Sequence, residues 1–259
     1  IGIPPMESTD SMQAFHSMES TKTKRMKLLI DIGNTSAKLA VADTDIVHFE
    51  RLTEPWGEAF ARLMATYELT SVRISTVAAQ DPCLEEALKA LNLPVIWLTA
   101  QTPCPVKPVP NVPQGLGADR WAADIGALSQ DPNHTLLIID AGTCLTYDVI
   151  SRDGAILGGA ISPGVQLRLN AMHEHTALLP QIAAEKEAEV LGHDTRTAML
   201  SAAVNGTQFE IEGYIRYLLK DFPDLHVFIT GGNQIDLADD ITCQGPYDPY
   251  LVFKGLKCL

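Results

Sequence analysis

Two stretches of this chain say nearly the same thing: Leu28-Leu29-Ile30-Asp31-Ile32-Gly33-Asn34-Thr35, and Leu137-Ile138-Ile139-Asp140-Ala141-Gly142-Thr143. Each is an apolar strand that ends on Asp-x-Gly with a threonine at or just after the glycine. Each is followed by a second strand-like stretch, 36–43 and 145–151. The strand carries the carboxylate to the rim of a sheet. The glycine lets backbone N–H groups approach an anion closely, and threonine adds a hydroxyl donor. Two such copies facing each other form a clamp for phosphate and metal, so the repeat predicts a two-lobed protein that uses a nucleotide.

The sequence around each copy repeats too. Residues 27–33, 36–43 and 46–53 read as successive strands, Pro55 stops them, and 56–68 reads as a helix with Phe60, Leu63, Met64 and Tyr67 on one face. A strand over 71–78 follows. Asp81-Pro82 then offers an N-cap and an N1 proline to a helix through Leu91, and 94–99 is a further strand. Five prolines, at 103, 105, 108, 110 and 113, make 102–113 an ordered loop without helix or central strand. A helix is expected over 121–128. In the second half, 135–142, 145–151 and 155–162 read as strands, with a helix from Gly164. Thr195 is expected to cap a helix running toward Asp221, whose face is Ile211, Tyr214, Ile215, Leu218, Leu219 and Phe222. Residues 226–230 are a strand, and 250–253 are read as a late edge strand. The order predicts an α/β protein with a duplicated ribonuclease-H-like fold and a nucleotide cleft between lobes 26–132 and 133–259.

Bulk properties narrow the classes of function. With 46% hydrophobic and 20% charged residues the composition is that of a globular protein. No apolar run of about 18 residues is present, so no membrane partner is expected. A net charge of −13 disfavours nucleic acid, whose phosphates it repels. The five cysteines are widely spaced without a Cys-x-x-Cys pair, which predicts a reducing, cytoplasmic setting, with Cys144 a small buried apolar residue. Residues 1–25 are polar, without periodicity or an apolar signal core. They read as a leader or expression remnant outside the fold, with a natural start at Met26. His173 and His175 lack a third metal ligand and read as ordinary histidines, and the charges at 185–189 as a solvated helix face.

More specific signals lie between and after the two turns: Leu116-Gly117-Ala118-Asp119-Arg120, then Gly158-Gly159-Ala160-Ile161-Ser162-Pro163-Gly164, Thr230-Gly231-Gly232-Asn233 and Leu251-Val252-Phe253-Lys254-Gly255-Leu256. With the two Asp-x-Gly turns they span 27–256 in a fixed order. In this the chain resembles the type III pantothenate kinases, within the superfamily of actin, the sugar kinases and Hsp70. The resemblance implies transfer of the ATP γ-phosphoryl to pantothenate, the first step toward coenzyme A. It implies an ATP phosphate site at Asp31, Ile32, Gly33, Asn34, Thr35, Ser36, Ala37 and Lys38, completed by Thr143, with Asp31 positioning Mg²⁺ through water. Pantothenate would meet Gly117, Ala118, Asp119 and Arg120, with Asp119 the general base. Asp140 would hold a monovalent cation, K⁺ or NH₄⁺. Thr195 would reach the pantothenate site of the other subunit in a homodimer with shared active sites. Gly231 and Gly232 would make room for adenine or ribose. Taken without the resemblance, Asp119 also reads as an N-cap starting a helix at Arg120, Asp140 as a second Mg²⁺ ligand, and Lys38 as a solvated strand end.

Two positions depart from the family pattern. Pro110 stands where the family has a tyrosine that lines the pantothenate pocket, and Ala202 where a glycine is common. Pro110 leaves two other readings: a kinase of the same fold for another small alcohol, or a nucleotide-binding regulator. A regulator has no use for the carboxylate of Asp119. A sugar kinase of the repressor-related group would carry a Cys-x-Cys-Gly zinc signature, and none is present.

Overall fold

The computed structural model describes residues 25–259 except 80, 234, 236, 243, 244 and 246. Residues 1–24 of the expected leader, and Cys243, lie outside the described residues. The first half runs β1 (Met26–Ile32), β2 (Ala37–Ala42), β3 (Ile46–Arg51), α1 (Trp56–Thr66), β4 (Leu69–Thr76), α2 (Pro82–Leu91), β5 (Val95–Trp97) and α3 (Ala118–Gln130). The second runs β6 (Thr135–Ala141), β7 (Cys144–Ile150), β8 (Ile156–Pro163), α4 (Val165–Glu174), α5 (Thr195–Leu218), β9 (Leu225–Gly231) and α6 (Leu251–Cys258).

Each half builds one mixed sheet, in the orders β3-β2-β1-β4-β5 and β8-β7-β6-β9. The first three strands of each form an antiparallel meander, and β4 and β9 join β1 and β6 in parallel. The second sheet has no assigned counterpart of β5 among the described residues. Gly245 N and Asp248 N nevertheless donate to Val227 O and Ile229 O of β9, so an irregular stretch takes that edge. This is the duplicated actin-like architecture, with two α/β lobes.

Local chemistry explains the elements. The Asp81 carboxylate accepts from Cys83 N and Leu84 N and Pro82 opens the first turn of α2, as the sequence predicts. α1 buries Trp56, Ala59, Phe60 and Leu63 against the outer face of the first sheet, while Met64, expected on that face, is exposed. α5 covers the outer face of the second sheet through Ile211 and Ile215. Residues 185–189 form no helix, against expectation.

α3 and α6 lie between the two sheets. One apolar cluster joins Leu29, Ala40 and Ala42 of the first sheet to Leu136, Ile138 and Ile150 of the second, through Trp121, Ile125 and Leu128 of α3 and Leu251, Phe253 and Leu256 of α6. The two helices meet backbone to backbone. A Cβ on Gly126 would come 2.1 Å from Leu251 O, and one on Gly255 1.8 Å from Ala122 O. The expected edge strand at 250–253 is thus the first turn of α6. A short apolar run does not distinguish strand from buried helix by periodicity, and glycine-mediated docking on α3 decides for the helix. The proline-rich loop is ordered, as predicted. Trp121 Nε1 donates to Thr102 O, Lys107 Nζ to Pro132 O and Arg152 O, and Asn111 pairs with both backbone polar groups of Ile156.

Candidate active site

β1 and β6 end at the same place, so the two Asp-x-Gly turns face each other. Thr35 Oγ1 and Thr143 Oγ1 are 2.9 Å apart across the gap, a contact between residues 108 positions apart in sequence. Both turns close tightly: Gly33 N donates to Ser36 O and Gly142 N to Cys144 O. Asn34, Thr35 and Thr143 are exposed and present donors outward, while Ile32, Ser36, Ala37 and Lys38 are half-buried behind them. Cys144 is half-buried rather than buried.

Three carboxylates converge on this gap. Asp31 is buried, with Lys38 opposite it in the β1–β2 register and its Nζ 3.7 Å from Oδ2. Among the described residues Asp31 Oδ1 has no hydrogen-bond partner. Burial pushes the Asp31 carboxyl up to about 6, with Lys38 opposing and Asp119 adding to the rise. Burial and then the charges of Asp119 and Asp31 push Asp140 up to about 7, with Lys38 the opposing influence. Raised carboxyl pKa values and an orphaned buried oxygen are what a hard, oxygen-seeking cation would correct, so the residues present fit Mg²⁺ near Asp31 and a further cation near Asp140.

Asp119 sits in the first turn of α3, whose N-cap is Gly117, so it is not itself the N-cap. Its Oδ1 turns back to accept from Arg120 N at 2.7 Å, which leaves Oδ2 for another partner. Gly117 makes this possible, because a Cβ there would stand 2.6 Å from Asp119 Oδ1. Ala118 is buried beside it. Thr195 is the first helical residue of α5 and is exposed. The cap is Asp194, which exchanges hydrogen bonds with Thr197 in a capping box, so the expected Thr195 cap is corrected. Among the described residues Thr195 has no hydrogen bond to the cluster around Asp119.

The sequence reading missed the support behind Arg120. Its Nε and Nη2 grip both oxygens of Asp148 on β7, at 2.8 and 2.5 Å. Asp124, one turn further along α3, is fully buried, and among the described residues neither of its oxygens has a hydrogen-bond partner. Burial, and then the charge of Asp148, hold its carboxyl well above the usual range. An acid within the apolar run Tyr147-Asp148-Val149-Ile150 is the signal that could have shown Asp148. The glycine motif of β8 fits the same support. A Cβ at Gly159 would lie 2.1 Å from Tyr147 O and 2.8 Å from Arg120 Nη2, and one at Gly164 would strike the carbonyls of Gly142 and Thr143.

Gly231, at φ +109°, packs on Ala141, and Asn233 Nδ2 donates to the carbonyls of Ala141 and Gly142. That stretch braces the second turn through Gly231 and Asn233, while Gly232 faces open space. His173 Nδ1 is hydrogen-bonded to Leu179 O, consistent with an ordinary histidine. Pro110 is exposed. Trp121, the nearest aromatic, is sealed in the interlobe cluster and takes no part in the site.

Comparison with known proteins agrees with this geometry. The family model described as type III pantothenate kinase matches residues 27–217. A type III pantothenate kinase of Phocaeicola vulgatus is 39% identical over 233 residues, covering 90% of this chain and 96% of that protein. One from Bacteroides fragilis is 38% identical with the same coverage. Among solved structures, a conserved Campylobacter jejuni protein named for the Baf family of transcriptional activators superposes with a TM-score of 0.54 at 23% identity, covering 89% of this chain and 95% of that one, which speaks for the fold alone. The matched model takes in both Asp-x-Gly turns, the Gly-x-Asp-Arg box and the β8 glycines, and the chain belongs to the type III pantothenate kinase family.

Proposed function

We propose that this chain phosphorylates the primary hydroxyl of pantothenate with ATP, the first step of coenzyme A biosynthesis. The observation that carries the reading is the hydroxyl contact between Thr35 and Thr143, which brings both phosphate turns onto one gap with Asp119. The lobes are taken as 26–132 and 133–259, and ATP lies between them. Backbone N–H groups and side chains of 31–38 and Thr143 bind its phosphates, and Lys38 neutralises charge there. Mg²⁺ bound near Asp31, through water, would shield the charge that develops on the transferring phosphoryl oxygens. Asp119 Oδ2 accepts the hydroxyl proton as the new P–O bond forms and the bond to ADP breaks. Asp148 holds Arg120 so that its remaining Nη1 meets polar atoms of pantothenate, alongside Gly117 and Ala118.

Asp140 holds K⁺ or NH₄⁺. Its raised proton affinity supports this, since no cationic side chain stands opposite it. The chain acts as a homodimer in which Thr195 completes the partner's site. Supporting this, the second lobe exposes the large apolar side chains of Ile161, Leu178, Val190, Leu191, Phe209 and Tyr217, which a partner subunit would cover. A cytoplasmic location suits the free Cys83, Cys104, Cys144 and Cys258, and no described helix is long and apolar enough to cross a membrane.

The test is ATP-dependent phosphorylation of pantothenate by the wild type and by Asp119→Asn. Loss of a general base costs about 10²–10⁴-fold in kcat. Transfer that falls this far while ATP still binds supports the reading. Unchanged turnover in the variant sinks Asp119 as base, and a folded, ATP-binding wild type that ignores pantothenate moves the substrate to another alcohol through Pro110.

A further inference from the structure

At the far end of the interlobe layer, Asp131, His134 and His226 come together from three elements. Asp131 caps the C-terminus of α3, His134 stands just before β6, and His226 lies on β9 opposite Leu136. One ligand atom from each falls within 4.8 Å of the other two. The imidazoles are stacked and nearly parallel, with centroids 3.9 Å apart and 21° between planes. They meet the two oxygens of one carboxylate, His134 Nδ1 at 2.7 Å from Oδ1 and His226 Nδ1 on Oδ2. All three side chains are partly open to water, so further ligands can come from solvent.

We propose that Asp131, His134 and His226 form a second metal site, one that takes a single divalent ion of the zinc class. The donor set selects the class: two imidazoles suit Zn²⁺, Ni²⁺ or Cu²⁺, while Mg²⁺ and Ca²⁺ prefer oxygen alone. The surroundings favour positive charge. The ion would stand at the negative end of α3, in a chain of net charge −13. Nearby cations are engaged elsewhere, Lys107 on the carbonyls of Pro132 and Arg152, and Arg152 toward Asp224 at 3.9 Å. On binding, the Nδ1 lone pairs take the metal in place of the contacts with Asp131, and a proton held at either Nδ1 passes to Nε2 or to solvent.

The position gives the site a use. Asp140 lies six positions along β6 from His134, and Asp131 twelve positions along α3 from Asp119, both spans of about 20 Å. A metal there staples the helix that carries Asp119 to the strand that carries Asp140, at the end opposite the chemistry.

The experiment uses the full chain, treated with chelator and titrated with Zn²⁺ in excess Mg²⁺, by calorimetry and thermal melting, and with Co²⁺ by visible absorption. One Zn²⁺ per chain is expected, with a raised Tm and Co²⁺ bands of a nitrogen-containing site. Binding should weaken at least about tenfold in His134→Gln and in His226→Gln. It should persist in Asp140→Asn, and pantothenate phosphorylation should be unchanged in His134→Gln. Absence of stoichiometric binding, binding that survives loss of both histidines, or binding that disappears in Asp140→Asn each overturns the proposal.

Discussion

The two Asp-x-Gly turns share a backbone and differ in what faces the carboxylate. In the first, the residue across the antiparallel pair from Asp31 is Lys38, and in the second the residue across from Asp140 is Thr146. One turn therefore carries its own cation and the other does not. Burial is the main cause that pushes both carboxyls up, Asp31 to about 6 and Asp140 to about 7, and the single ammonium of Lys38 opposes the rise at both. On the proposed function, this one position on the second strand divides two tasks: a lysine suits the first turn to phosphate, and a threonine in its place leaves Asp140 to take a cation from solution.

Removing the lysine breaks this difference most severely. Lys38→Met takes away a charged donor to phosphate, an interaction of about 1.5–3 kcal/mol, so KM for ATP should rise about 10- to 100-fold in steady-state assays. KM for pantothenate should stay near its original value. A variant that binds ATP as tightly as the wild type would place Lys38 at a solvated strand end instead.

A smaller effect is expected behind the substrate box. Asp148→Asn keeps the shape of the side chain that grips Arg120 and removes its charge. KM for pantothenate should rise several-fold to about tenfold while KM for ATP stays constant, as for a lost charge-assisted hydrogen bond. Equal change in both constants, or a lower Tm alone, would make Asp148 a structural residue with no hold on substrate.

The smallest effect is on pH dependence. Both carboxyls titrate above the ordinary value of about 3.9. The ligand-free folded chain therefore binds more protons than the unfolded chain between about pH 4 and pH 7. These two groups make it less stable as pH rises through that window, with the full penalty above about pH 7. Bound cations offset the penalty, so stabilisation by Mg²⁺ and K⁺ in thermal melts should be larger at about pH 8 than at about pH 5.5. Asp31→Asn/Asp140→Asn should flatten both trends, and an unchanged slope in that variant would assign the titration to other groups.

Much of this was legible in the sequence, because the decisive features are local. An apolar strand, an Asp-x-Gly turn and a second strand leave their pattern within about 15 residues, and α2 announces itself through Asp81-Pro82. What escaped depends on partners distant in sequence. The run Leu251-Val252-Phe253 looks like a strand until Gly126 and Gly255 bring α6 onto α3. Asp194 rather than Thr195 caps α5 because Thr197 answers it, and both orders fit the same letters. The grip of Asp148 on Arg120 joins residues 28 positions apart, and nothing local in β7 names its partner.

The most direct test of the division between the two turns is a K⁺ titration of pantothenate phosphorylation at fixed Mg²⁺ and ATP, with the wild type beside Thr146→Lys. That variant gives the second turn the cation that the first already has. The account predicts that K⁺ activates the wild type and that Thr146→Lys loses K⁺ dependence, its Asp140 being occupied by the new ammonium. Equal K⁺ activation of both proteins would contradict it and place the monovalent cation away from Asp140.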